Sequence, residues 1–219
     1  MTTSSEFRPI RILVVGASLR SGSLNRHLAG LAASATASKG AVVDHADIRE
    51  FDVASFDRDV QDRDGVPQGA IAFGNRLKAT DGFILVSPEY NASIPGFLKN
   101  LIDWTSRIVP QPFKGSHGLL MSASPSMVGG NRGLWALRVP LEHLGAIIYP
   151  DMFSLAQAHL AFDDSGQIAD AELHQRFSNA IGAFLDLTEA ATHYQCAKSA
   201  WVEFLGEKRD PAIDRVEVS

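Results

Sequence analysis

The sequence predicts an α/β fold: one parallel sheet of five strands with helices on both faces, a three-layer sandwich. Three observations carry this. Uninterrupted apolar runs at 12–15, 83–86 and 119–121 suit strands buried on both sides, because a strand with one wet face alternates. Stretches with apolar residues at three- and four-residue steps separate those runs and read as amphipathic helices. Strand and helix alternate along 219 residues, enough for one large domain with a substantial core.

Taken in order, the first strand is 11–16, closed by Gly16. A helix over 23–38 follows, with Leu24, Leu28, Leu31 and Ala35 as its buried stripe. The second strand, 42–48, is weaker because Asp44, His45 and Asp47 interrupt it. Residues 49–67 are acidic and read as irregular; Asp57, Asp59, Asp62 and Asp64 form a solvated loop. A short helix over 69–80 leads into the third strand, 82–87. The next helix starts near Pro95, at a first-turn position where a missing N–H costs nothing, and runs to about 107. Strand four is 118–122. The helix after it, 132–144, carries Leu134, Leu137, Leu141 and Leu144, and Pro140 inside it is expected to kink or split it. A fifth strand begins at 146–149, and 169–204 is mostly helical with Leu173, Phe177, Ala180 and Phe184 on one face. Residues 1–9 are expected to be a disordered extension, 10–205 the domain and 206–219 a flexible charged tail.

Composition narrows the function. With 20 Lys and Arg against 25 Asp and Glu the formal charge is −5, which gives no bulk attraction to nucleic acid or to an anionic membrane. No run approaches the ~20 apolar residues needed to span a bilayer. One cysteine, Cys196, makes neither an intramolecular disulfide nor a cysteine metal cluster, so a cytoplasmic location is expected. There is no HExxH, and no histidine pair has a convincing metal spacing, so no metal site is assigned. There is no GxSxG for a nucleophilic serine. Cys196 and Trp104 read as packing residues, Trp104 in a core or a subunit contact.

Ligands of such sheets bind beyond the carboxyl ends of the strands, so the loops after strands one, three and four hold the candidate site. The first, Gly16-Ala-Ser-Leu-Arg-Ser-Gly-Ser-Leu-Asn25, matches neither GxGxxG nor GxxxxGK(S/T). It offers the hydroxyls of Ser18, Ser21 and Ser23, the Asn25 amide, the Arg20 cation and free N–H groups at a helix start. Those groups suit a dianionic phosphate monoester; the alternative is that Ser21 or Ser23 merely caps the helix. The second loop, Pro88-Glu-Tyr-Asn-Ala-Ser-Ile-Pro-Gly96, suits a flat heterocycle, or else is a proline-stiffened turn with Tyr90 packing. The third, Ser122-Ala-Ser-Pro-Ser-Met-Val-Gly-Gly130, borders the same heterocycle or is an ordinary glycine turn.

The first loop, and the second continued through Lys99, Asn100, Asp103 and Trp104, resemble the NAD(P)H-dependent FMN reductase family of the flavodoxin-like superfamily over about residues 10–190. The resemblance implies strand order 2-1-3-4-5. It implies that Ser18, Arg20, Ser23, Leu24 and Asn25 hold the FMN phosphate. Pro88, Glu89, Tyr90, Asn91 and Ser93 would then border the isoalloxazine, and Ser124, Gly129 and Gly130 would close its third side. Ala17 and Ser126 stand where relatives often carry glycine. The implied chemistry is flavin-mediated, with no catalytic side chain. NAD(P)H passes hydride to flavin N5, then a small acceptor is reduced in ping-pong turnover: a quinone, free flavin, an azo compound or a metal oxyanion. Backbone N–H groups near Tyr90 and Asn91 are expected to stabilise the reduced ring. A homodimer or homotetramer is implied, with the helix after Pro95 at the contact. The alternatives are a flavodoxin-like electron carrier and a non-catalytic flavin-binding module.

Overall fold

The computed structural model describes residues 8–193. Of the expected extension 1–9, residues 1–7 lie outside the described residues, as do the tail, Cys196 and the end of the last helix; Arg8 is described and pairs with Asp81 at 2.6 Å, so it is not part of a loose extension. Strands β1 (Arg11–Gly16), β2 (Val42–Asp47), β3 (Gly82–Val86), β4 (His117–Ala123), β5 (Ile147–Ile148) and β6 (Phe153–Leu155) form one parallel sheet. Its order is β2-β1-β3-β4-β5, with β6 also on β4. The helices are α1 (Leu24–Ser38), α2 (Arg58–Asp64), α3 (Gln68–Lys78), α4 (Gly96–Thr105), α5 (Asn131–His143) and α6 (Ala171–His193).

The period-two geometry of a strand explains the unbroken apolar runs. Leu13, Val15, Phe83, Leu85 and Leu120 point into one layer, against Phe73, Leu77, Leu98, Leu101, Trp104, Leu134 and Leu137 of α3, α4 and α5. Their neighbours Ile12, Val14, Ile84, Val86, Leu119 and Met121 point into the other, against Leu28, Ala32, Phe177, Ile181 and Phe184 of α1 and α6. Trp104 is a core residue: its ring meets Phe56 edge-on at 4.9 Å and its indole N–H donates to Ala54 C=O at 2.8 Å.

Four expectations change. The fifth strand is broken in two: β5 pairs with His117 and Gly118, and β6 resumes against Met121–Ala123. Between the halves lies Pro150, which has no N–H to give a neighbouring strand. The acidic 49–67 stretch contains a 3-10 turn, Ile48–Phe51, and the helix α2, capped by Asp57 on the Asp59 N–H at 2.8 Å. Pro140 does not split α5, which runs unbroken from Asn131 to His143 with Leu134, Leu137 and Leu141 buried. Pro95 stands one position earlier than expected, as the N-cap residue of α4.

Candidate functional site

Because the strands are parallel and in register, their carboxyl ends finish at one edge. Gly16 lies beside Val86, and Val86 beside Met121. The first, second and third loops therefore rise side by side there, as the sequence expects.

In the first loop Ser18 is buried, Leu19, Arg20, Ser21 and Gly22 are exposed, and Gly22 takes a φ of 67° that favours glycine. The backbone N–H groups of Leu19, Arg20, Ser21 and Gly22 have no acceptor among the described residues, and Arg20 has no acidic partner there. Ser23 is the N-cap of α1: its hydroxyl accepts from the N–H of Asn25 at 3.2 Å and of Arg26 at 3.4 Å. Capping leaves the Leu24 N–H unfilled at the positive end of the helix. Donors and a guanidinium with no partner among the described residues, next to a helix start, have the chemistry that suits a dianion. Asn25 is different. Its buried amide donates from Nδ2 to Ala123 C=O at 2.8 Å and accepts at Oδ1 from Ala123 N–H at 2.9 Å.

The second loop is a tight reversal. Tyr90 and Ser93 exchange backbone hydrogen bonds, each of 3.0 Å. Asn91 and Ala92 between them take φ of 52° and 61°, both left-handed, as at the centre of a type I′ turn. The Tyr90 N–H is thus taken up inside the turn, and of the two donors expected near the ring only that of Asn91 stays open. The Tyr90 ring is half exposed and meets Phe97 edge-on at 6.3 Å.

Glu89 does not face the open rim. Its carboxylate, only 8% exposed, accepts from Arg132 Nε at 2.9 Å and Nη2 at 2.5 Å, and from the Gly133 N–H at 3.1 Å. Burial pushes this carboxyl up, but the Arg132 guanidinium and the N–H groups at the start of α5 outweigh it and hold it below the usual range. The pair ties the second loop to the head of α5. Arg132 and Gly133 escaped the sequence reading; the signal was an arginine two residues after paired glycines at a helix start.

The third loop is packed as tightly. Gly130 has a φ of 86°, and a Cβ there would collide with Ser122 Oγ and stand 2.9 Å from Ser122 Cβ. A Cβ on Gly129 would stand 2.9 Å from the Ala156 N. Ser124 Oγ donates to Ser126 Oγ at 3.1 Å and accepts from the Ser126 N–H at 3.2 Å, while Ser126 keeps an ordinary negative φ and has no need of glycine. Beneath Gly130, Ser122 Oγ is buried with no hydrogen-bond partner among the described residues; the sequence places Ser122 at the head of the third loop but gives it no role.

A cleft of about 760 Å³ adjoins the first loop on its β2 side: Gly22, Ser23 and Leu24 form one wall, and Arg26, His27, Asp47 and Gly166 are among its other lining residues. In it Arg26 pairs with Asp47 at 2.9 Å, and His27 Nε2 lies 2.6 Å from Gly166 C=O. Size alone does not make it the site. Among the described residues no cluster of His, Cys, Asp or Glu could hold a metal, and no helix is long and apolar enough to cross a membrane.

A 2-1-3-4-5 parallel sheet with open N–H donors on its first loop and two braced loops beside it defines a flavodoxin-like protein. The chain belongs to the NADPH-dependent FMN reductase family, whose model matches residues 10–160 and so takes in all three loops. It is 33% identical to the quinone reductase of Escherichia coli over 135 residues, 61% of this chain and 72% of that one. It is 32% identical to an NAD(P)H-dependent FMN reductase of Pseudomonas aeruginosa over 176 residues, 80% of this chain and 92% of the relative. Among solved structures, the flavoenzyme NAD(P)H:(acceptor) oxidoreductase FerB of Paracoccus denitrificans superposes with a TM-score of 0.71 at 25% identity, covering 82% of this chain and 97% of that one. The protein is an oxidoreductase with FMN as its cofactor and NAD(P)H as its electron donor.

The residues fit that cofactor. The open donors around Arg20 match a phosphate monoester, and Ser122 Oγ, buried beneath Gly130 at the end of the sheet, has no hydrogen-bond partner among the described residues.

Proposed function

We propose that this chain holds FMN across the three loops and uses it to reduce a small planar acceptor, a quinone or free flavin, with electrons from NAD(P)H. The observation that carries the reading is the row of unpartnered N–H groups beside Arg20, at the end of a sheet whose two neighbouring loops are braced. Arg20, the N–H groups of residues 19–22 and 24, and the Ser18 and Ser23 hydroxyls receive the phosphate. Pro88, Tyr90, Asn91 and Ser93 border one edge of the ring, and Ser124, Gly129 and Gly130 the other. Glu89 acts from behind by fixing Arg132 and α5. When bound, FMN supplies the redox chemistry, taking hydride from NAD(P)H and handing electrons to the acceptor. The Asn91 N–H, which has no acceptor among the described residues, is the donor available to stabilise negative charge on a reduced ring.

Donor and acceptor take turns at one open face, which is ping-pong turnover. The printed names of relatives support a quinone: quinone reductase in Escherichia coli and 2-hydroxy-1,4-benzoquinone reductase in a Burkholderia species. A cytoplasmic homodimer or homotetramer with domain bounds 10–205 completes the proposal.

Anaerobic stopped-flow mixing of the yellow protein with NADPH tests it. Fast bleaching, followed by recovery of colour on adding a benzoquinone and by parallel double-reciprocal plots, is expected. Absent or very slow bleaching makes the chain an electron carrier. A colourless protein that stays colourless after soaking in FMN overturns the flavin site itself.

A further inference from the structure

We infer that Asn25 is a positioning residue and not a ligand of the phosphate: its amide replaces a missing strand at the end of β4 and fixes the first loop against the third. The inference rests on the FMN reading above. Strand β3 ends at Val86, paired with Met121, and its last ladder bond runs from the Ser87 N–H to Met121 C=O at 2.9 Å. Strand β4 continues to Ala123, which pairs with Leu155 of β6 on its far side. On the near side Ala123 has outrun its neighbour. In a parallel ladder the N–H and C=O of one residue point to the same side, so both would be buried there without partners.

Asn25 Oδ1 and Nδ2 take those two groups, at 2.9 Å and 2.8 Å. An amide offers one acceptor and one donor in the plane a strand peptide would present, and the flipped amide would set donor against donor. Asn25 is 4% exposed and lies on the first turn of α1, while Ala123 opens the third loop, 98 residues further along the chain. A phosphate ligand would face the rim with its amide; this one faces the sheet. Asn25 therefore couples the tail end of the site to the ring end.

Riboflavin, which has the ring and lacks the phosphate, separates the two roles. The flavin-free protein is titrated with FMN and with riboflavin as wild type, Arg20→Ala, Asn25→Ala and Asn25→Asp, with far-UV circular dichroism to confirm folding. Arg20→Ala is expected to weaken FMN and leave riboflavin unchanged. Asn25→Ala is expected to weaken both by a similar factor, roughly tenfold, and to change the visible circular dichroism of FMN at saturation. Hydrogen exchange at the Ala123 amide of the flavin-free protein should quicken in the same variant. Asn25→Asp keeps the volume and the acceptor, so it is read in the same way if the alanine variant does not fold. Loss of FMN affinity with riboflavin affinity and the dichroism at wild-type values overturns the inference and leaves the flavin site standing. Failure of the wild type to take up FMN overturns the site, and the role of Asn25 with it.

Discussion

Among the described residues, the first loop from Leu19 to Gly22 keeps its N–H groups open and its arginine unpaired. The second and third loops do the reverse: Tyr90 is closed on Ser93, Glu89 on Arg132 and Gly133, Ser124 on Ser126. The difference matches what each region has to hold. A dianionic tail is gripped by charge and by donors that adjust to it. A flat ring offers few polar handles, so walls of fixed spacing must do the holding, and preorganised walls cost least on binding. Breaking a wall should therefore harm the protein before any ligand arrives, whereas neutralising Arg20 should harm binding alone.

The largest effect is expected at Gly130. Alanine there meets Ser122 directly and must adopt a φ of 86°. Left-handed strain and overpacking together put the loss of folding stability at about 2–4 kcal/mol. Urea unfolding of flavin-free Gly130→Ala measures it, and riboflavin affinity should fall in parallel. Wild-type values for both would mean that the third loop is not a rigid wall.

Next in size is Glu89→Gln, which keeps the shape and removes the charge facing Arg132. A loss of about 1 kcal/mol is expected near neutral pH, since Arg132 is largely exposed. The sign with pH follows from the depressed carboxyl. Its contribution is present above the ordinary range of a glutamate and is lost as pH falls through the lower value of the folded state. Wild type and Glu89→Gln should therefore converge in stability on acidification below about pH 4.5. A gap that stays constant down to acid pH would show that the ion pair is not what braces the second loop.

Much of this frame is written locally in the chain. The buried strands betray themselves because burial on both faces leaves no polar alternation, and the three loops follow from where those strands stop. The fifth strand was harder to read, since β5 and β6 are two and three residues long and the break at Pro150 resembles an ordinary turn. Helix α2 was hidden because none of its residues is buried, so it has no apolar stripe. Pro140 misled because local rules weigh the missing N–H and not the burial of Leu137 and Leu141 on either side. In the site, residue types pointed to the loops but not to each role. Asn25 and Glu89 look like ligands in a motif; their partners, 98 and 43 residues away, are set by the tertiary fold.

The smallest expected effect bears on the origin of the rigidity in the second loop. Of its two left-handed residues, asparagine tolerates the region and alanine does not, so Ala92 at φ 61° holds strain of about 1–2 kcal/mol. Glycine removes that strain but gives the unfolded chain more freedom, worth about 0.5–1 kcal/mol the other way. Ala92→Gly should thus raise stability by about 0.5 kcal/mol, read as a small increase in the urea midpoint at unchanged slope. The same variant should bind riboflavin no more tightly, and slightly less if the stiff turn is what keeps the Asn91 N–H open. Strain at this position then serves preorganisation, the property that separates this loop from the open one beside it. A lower urea midpoint in Ala92→Gly would instead mean that the turn sits comfortably with alanine, and that Glu89 and Arg132 alone keep the second loop stiff.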